Sequence, residues 1–188
     1  MKIDSRLSDL PEAAMTPDQQ SVLKAILSGP RGNLDGPFLA WIHSPALADH
    51  AQKLGAFCRY GTGLALRLSE LAILTTAAWW QSQAEWQIHE PIGLQAGLLP
   101  EVVEAIRLNQ PPAFPREDES LVFRFTQALY QHRRVPQPLY DEAVLAFGES
   151  TVVELVGVLG YYALVAMTLN TFDVRRHTDA PLPFDETP

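Results

Sequence analysis

The chain has 188 residues, 47% of them hydrophobic and 19% charged, which suits one ordinary globular domain and excludes an intrinsically disordered chain. Its 14 Lys+Arg against 22 Asp+Glu leave a formal charge of −8, an acidic balance that argues against nucleic acid and against an anionic membrane as partner. The single cysteine, Cys58, excludes an internal disulfide and any CxxC redox or zinc pair.

Met1 to Arg6 meets charge at once and no apolar signal region follows, so a cytoplasmic location is expected. Helical periodicity then dominates, and no run of alternating strand pattern stands out. Thr16-Pro17-Asp18 reads as a helix start, with an N-cap, a proline suited to the first turn and an acid at the positive dipole end. That helix should end near Ser28-Gly29-Pro30, and residues 31–37 read as a loop with several turn points. A short helix is expected over 38–42, and Ser44-Pro45 opens another that Gly61-Thr62-Gly63 closes. The next runs over about 66–80. Ser82-Gln83-Ala84-Glu85 has the S-x-x-E form of a capping box, opening a helix to about Ala96. Further helices are expected over 100–108, 117–132, 138–147 and 150–172, with a rigid proline-rich connection over 110–115. The expectation is therefore an all-α domain of about eight helices over 1–173. A proline-rich tail, 174–188, is either disordered alone or docked as an arm.

Residues 155–169 carry no charge, but this stretch is shorter than the roughly 20 residues needed to span a bilayer. Gly157, Gly160, Ala163 and Ala166 recur every third residue, a ridge of small side chains where another backbone can come close. The segment reads as a fully buried central helix.

The residues able to carry chemistry concentrate in 70–90. Glu70 sits early in one helix, and Ser82, Glu85 and His89 follow on the next. Glu85 and His89 are i and i+4, so they project from one helix face. If the two helices fold back on each other, Glu70 returns to that face. Two carboxylates and an imidazole would then meet beneath Trp79, Trp80 and Trp86, a cluster able to move protons. The plain alternatives are a capping glutamate at Glu85, a surface ion pair at Glu85–His89, and tryptophans that belong to the core.

The pattern E-x11-S-x2-E-W-x2-H, with Gly29-Pro30-Arg31-Gly32, Gly36-Pro37-Phe38, Glu70-Leu71-Ala72-Ile73-Leu74 and Gly160-Tyr161-Tyr162, resembles the carboxymuconolactone decarboxylase family. That family also contains the alkyl hydroperoxide reductase partner AhpD, and the resemblance covers about residues 16–172. In its thiol-active branch the pattern is a Glu followed by CxxCxxxH. Here Glu70 and His89 hold the matching places, while Ser82 and Glu85 stand where the two cysteines would be. Peroxide reduction needs an attacking thiolate and a resolving thiol, so the thiol branch is disfavoured.

The resemblance implies an AhpD-like helical bundle, a homo-oligomer (trimer or hexamer), and cofactor-free decarboxylation of a small lactone or keto acid. Glu70, Glu85 and His89 are the expected catalytic residues, with His89 as proton donor, Glu85 orienting it and Glu70 tuning the pair. Ser82, Trp86 and Arg31 are the expected substrate-binding residues, and Arg59 and Arg67 are further candidates for an anionic substrate. No metal or cofactor is expected. Two other readings stay open: a metal site built from Glu70, Glu85 and His89, and a non-catalytic binding or assembly protein on the same fold. His43, His50, His132 and His177 lie at no telling spacing.

Overall fold

The computed structural model describes residues 5–30, 32–176 and 181–185. Within these the chain forms nine α-helices, a single 3₁₀ turn at Glu12–Ala14 and no strand ladder. The helices are α1 (Pro17–Ser28), α2 (Phe38–Trp41), α3 (Pro45–Tyr60), α4 (Leu66–Trp79), α5 (Gln83–Gln95), α6 (Pro100–Arg107), α7 (Glu117–His132), α8 (Gln137–Phe147) and α9 (Glu149–Phe172).

The start of α1 is closed by a capping box. Thr16 Oγ1 accepts from the Gln19 N–H at 3.3 Å, and Gln19 Oε1 accepts from the Thr16 N–H at 2.9 Å. The box expected at Ser82–Glu85 does not form: Ser82 is the N-cap of α5, but its side chain makes no cap bond. The two acidic carboxyl oxygens that would complete that box are buried elsewhere.

Helix α4 is the axis of the molecule. Every residue from Arg67 to Ala77 is buried, because α5, α6, α7 and α9 pack around it. Leu71, Ala72, Ile73 and Leu74 have no exposure, and burying each large aliphatic side chain contributes about 1.5–3 kcal/mol. A tight turn follows, with Gln81 at φ 48° and the Ser82 N–H on Ala77 O at 2.9 Å. It sends α5 back along α4. Gly93 makes that approach possible: a Cβ there would lie 3.0 and 3.1 Å from the methyls of Leu74 and Leu98.

Buried polar links also join the helices. Arg67 of α4 pairs with Glu119 and, at 2.7 Å, with Asp118 at the start of α7. Trp41 Nε1 donates to Thr168 Oγ1 of α9 at 3.0 Å.

The expectation of a fully buried α9 is corrected. Leu155, Val158, Leu159, Tyr161 and Tyr162 face the core, but Val153 is 71% exposed, and Val156 and Met167 are also exposed. The helix packs through one side only. It is long and apolar enough to cross a membrane by length and composition alone. Gly157 and Gly160 meet no other atom within 4 Å of an added Cβ, so among the described residues no backbone seats on them.

The described part of the C-terminal segment docks on α5. Phe184 is buried against Trp86, the ring centres 5.4 Å apart. The Gln83 amide clamps the Phe184 backbone, donating to its carbonyl at 2.7 Å and accepting from its N–H at 3.0 Å.

Candidate active site

The fold-back of α5 along α4 brings Glu70 and His89 together. His89 Nδ1 lies 2.7 Å from Glu70 Oε2, with Glu70 1% and His89 3% exposed. Among the described residues, the acid in contact with the imidazole is Glu70, not Glu85. A carboxylate at this distance favours the tautomer with hydrogen on Nδ1 and stabilises imidazolium when it forms. Tyr162 of α9 packs edge-on to the imidazole, 5.0 Å between ring centres.

Glu85 lies one turn before His89, and both line a cavity of about 270 Å³. Among the described residues neither Glu85 oxygen has a hydrogen-bond partner, and burial pushes its carboxyl well above the ordinary carboxylate range. Burial disfavours the charged form of this acid, and among the described residues no ion pair or hydrogen bond offsets that cost. The same environment reaches Tyr130: burial, opposed by its hydrogen bond to Thr76 and aided by the field of Glu85, raises its phenol to about 12. Glu70 sits behind His89 rather than on the cavity wall.

The other expected residues divide. Ser82 is fully buried at the α4–α5 turn, its hydroxyl unpartnered, and it does not border this cavity. Trp86 lies on the opposite side of α5, packed on Phe184 beside a second cavity of about 610 Å³. The tryptophan cover is not formed: Trp79 is 46% exposed and stacks on Tyr130. Hydrophobic spacing alone put these rings on one side, but the turn at Gln81 separates them. Arg31 lies outside the described residues. Arg67 is spent on its ion pairs with α7, whereas Arg59 of α3 does line the cavity.

Tyr161 and Tyr162, which supply the cavity wall from α9, were quoted in the sequence without a role. Their signal was two phenols inside an otherwise apolar helix. Tyr161 reaches the wall because α3 is indented at Gly55, where an added Cβ would lie 2.1 Å from the Tyr161 hydroxyl oxygen. Arg176, also on the wall, had no sequence signal. Among the described residues, no three His, Cys, Asp or Glu side chains are grouped to hold a metal ion.

No family model matches this sequence, and no curated protein sequence matches it significantly. Among solved structures the chain is similar to an uncharacterized peroxidase-related protein from Ralstonia eutropha JMP134, described as an alkylhydroperoxidase AhpD core. The two share 18% identity with a TM-score of 0.71, over 91% of each chain. The all-α, AhpD-like fold expected from the sequence is thereby shown.

Proposed function

We propose that the protein is a cofactor-free decarboxylase of the carboxymuconolactone decarboxylase type, acting on a small lactone acid or keto acid by proton transfer. The observation that carries this reading is the buried 2.7 Å contact of His89 with Glu70, beside a cavity that Glu85 also lines. In a lactone acid whose carboxylate is conjugated with the lactone carbonyl, the breaking carbon–carbon bond sends its electron pair toward the carbonyl oxygen. Carbon dioxide leaves and a dienolate remains. The Glu85 carboxyl donates a hydrogen bond to that oxygen, which is worth more in a dry site than in water. His89, as imidazolium held by Glu70, passes a proton from Nε2 to carbon and then regains one from water. One carboxylate and one proton become carbon dioxide and a C–H bond.

The structural neighbour's peroxidase-related description offers a second chemistry. Thiol-based peroxide reduction is disfavoured because Ser82 and Glu85 stand where the resemblance puts cysteines, and Cys58 is buried on α3. To test the first reading, carbon dioxide release is measured over a panel of γ-lactone acids and β-keto acids. The expected result is turnover by the native chain, and a loss of about 10²- to 10⁴-fold in kcat for His89→Ala with unchanged circular dichroism. Undiminished turnover in a folded His89→Ala protein removes His89 from the mechanism.

We also propose that copies of this chain associate through the open face of α9. The support is the exposed row Val153, Val156 and Met167 beside Gly157 and Gly160, where a second backbone would find room.

A further inference from the structure

Pro91 lies inside α5, where a proline has no N–H for the carbonyl four residues back. That carbonyl belongs to Gln87. It is not left bare: Arg176, from the segment after α9, donates to Gln87 O through Nη1 at 3.1 Å. A guanidinium carries five N–H donors, and this bond uses one. Arg176 lines the same cavity as Glu85 and His89, and no carboxylate pairs with it among the described residues. Other arginines are occupied: Arg67 by Asp118 and Glu119, Arg107 by Glu104, Arg124 by Glu142. The backbone leading to Arg176 is set by the Val174 N–H on Leu169 O at 2.9 Å.

We propose that Arg176 is a specificity-determining residue of the reaction cavity: seated on the carbonyl that Pro91 frees, it binds the carboxylate of a small organic acid whose other end meets His89 and Glu85. The role of that other end rests on the proton-transfer reading; the binding of the carboxylate does not. The protein carries −8 overall, and Asp35 borders this cavity, so a carboxylate needs a local cation to enter. Burial raises the pKa of Glu85, which disfavours a negative charge beside the incoming carboxylate. A planar guanidinium also matches a carboxylate with two parallel hydrogen bonds, which a lysine does not. Arg59 faces the cavity from α3 and adds to the positive field, but its guanidinium stacks over the neighbouring Tyr60 ring at 5.6 Å.

The test is calorimetric binding of γ-butyrolactone-γ-carboxylate and of its methyl ester to the full chain. The native protein is expected to bind the acid in preference to the ester. Arg176→Gln should weaken the acid about ten- to hundredfold, the range for a charge-assisted hydrogen bond, and leave the ester unchanged. Arg176→Lys should recover part of the acid affinity. Pro91→Ala gives Gln87 O a helical N–H partner, releases Arg176, and should weaken the acid but not the ester. Equal acid affinity in native and Arg176→Gln proteins overturns the assignment, as does an equal loss for acid and ester, or a native chain that does not bind the acid. Acid-selective binding by a native chain that decarboxylates none of the panel sinks the proton-transfer reading alone and leaves the Arg176 assignment standing.

Discussion

Glu85 concentrates the electrostatic cost of the site in one side chain. Its carboxyl is buried with no partner, so its pKa in the folded state lies well above that of the unfolded chain. Below the ordinary carboxylate range both states hold the proton and the group is neutral to stability. As pH rises past that range, the unfolded state releases its proton while the folded state keeps it. Stability then falls by up to about 1.4 kcal/mol per pH unit until the folded group itself ionises. Glu85→Gln should remove this descending limb and be more stable than the native chain at neutral pH. Urea midpoints measured from acid to neutral pH check it, and an unaltered slope in the variant contradicts a neutral Glu85. That His89 and Glu85 face one cavity was legible from their i,i+4 spacing. The true partner of His89, Glu70, was named but given the lesser role, because spacing along one helix cannot rank a contact made across two.

Between elements, Arg67 makes a largely buried link. Its side chain is 10% exposed and reaches from α4 to Glu119, which is 2% exposed, at the start of α7. Removing one member strands the other charge. Arg67→Met should therefore cost about 3–5 kcal/mol, and Arg67→Met with Glu119→Gln should recover most of it. Denaturant unfolding of the three proteins decides this, and a double variant as unstable as the single one rules it out. The sequence placed Arg67 among candidates for substrate because it lies near the motif. Only the packing of α7 on α4 shows that its charge is already used.

For the whole molecule, the open side of α9 is an exposed apolar face, with Val153, Val156 and Met167 turned outward. Val153→Glu should lower the oligomer size seen by light scattering after size exclusion, because a charge at a closely packed helix contact is desolvated without a partner. A native chain that is already monomeric, or a variant with unchanged mass, contradicts association through this face. The sequence read α9 as a buried helix because its composition is apolar all round. Composition counts apolar residues but not the neighbours available to cover them, and this chain covers one side.

The sequence alone determined the helices, since periodicity, caps, prolines and glycines act within a few residues: the ends of α1, α3, α4 and α7 fall within a residue or two of where those signals put them. It also determined which short segment carries titratable groups, because Glu85 and His89 share a helix face by geometry. The tertiary structure decided which acid holds His89, that Glu85 is left dry and unpartnered, that Trp86 turns away from the cavity, and that Arg176 closes a gap opened by Pro91. Each of these is a contact between residues on different elements, and burial, not local spacing, sets its energy.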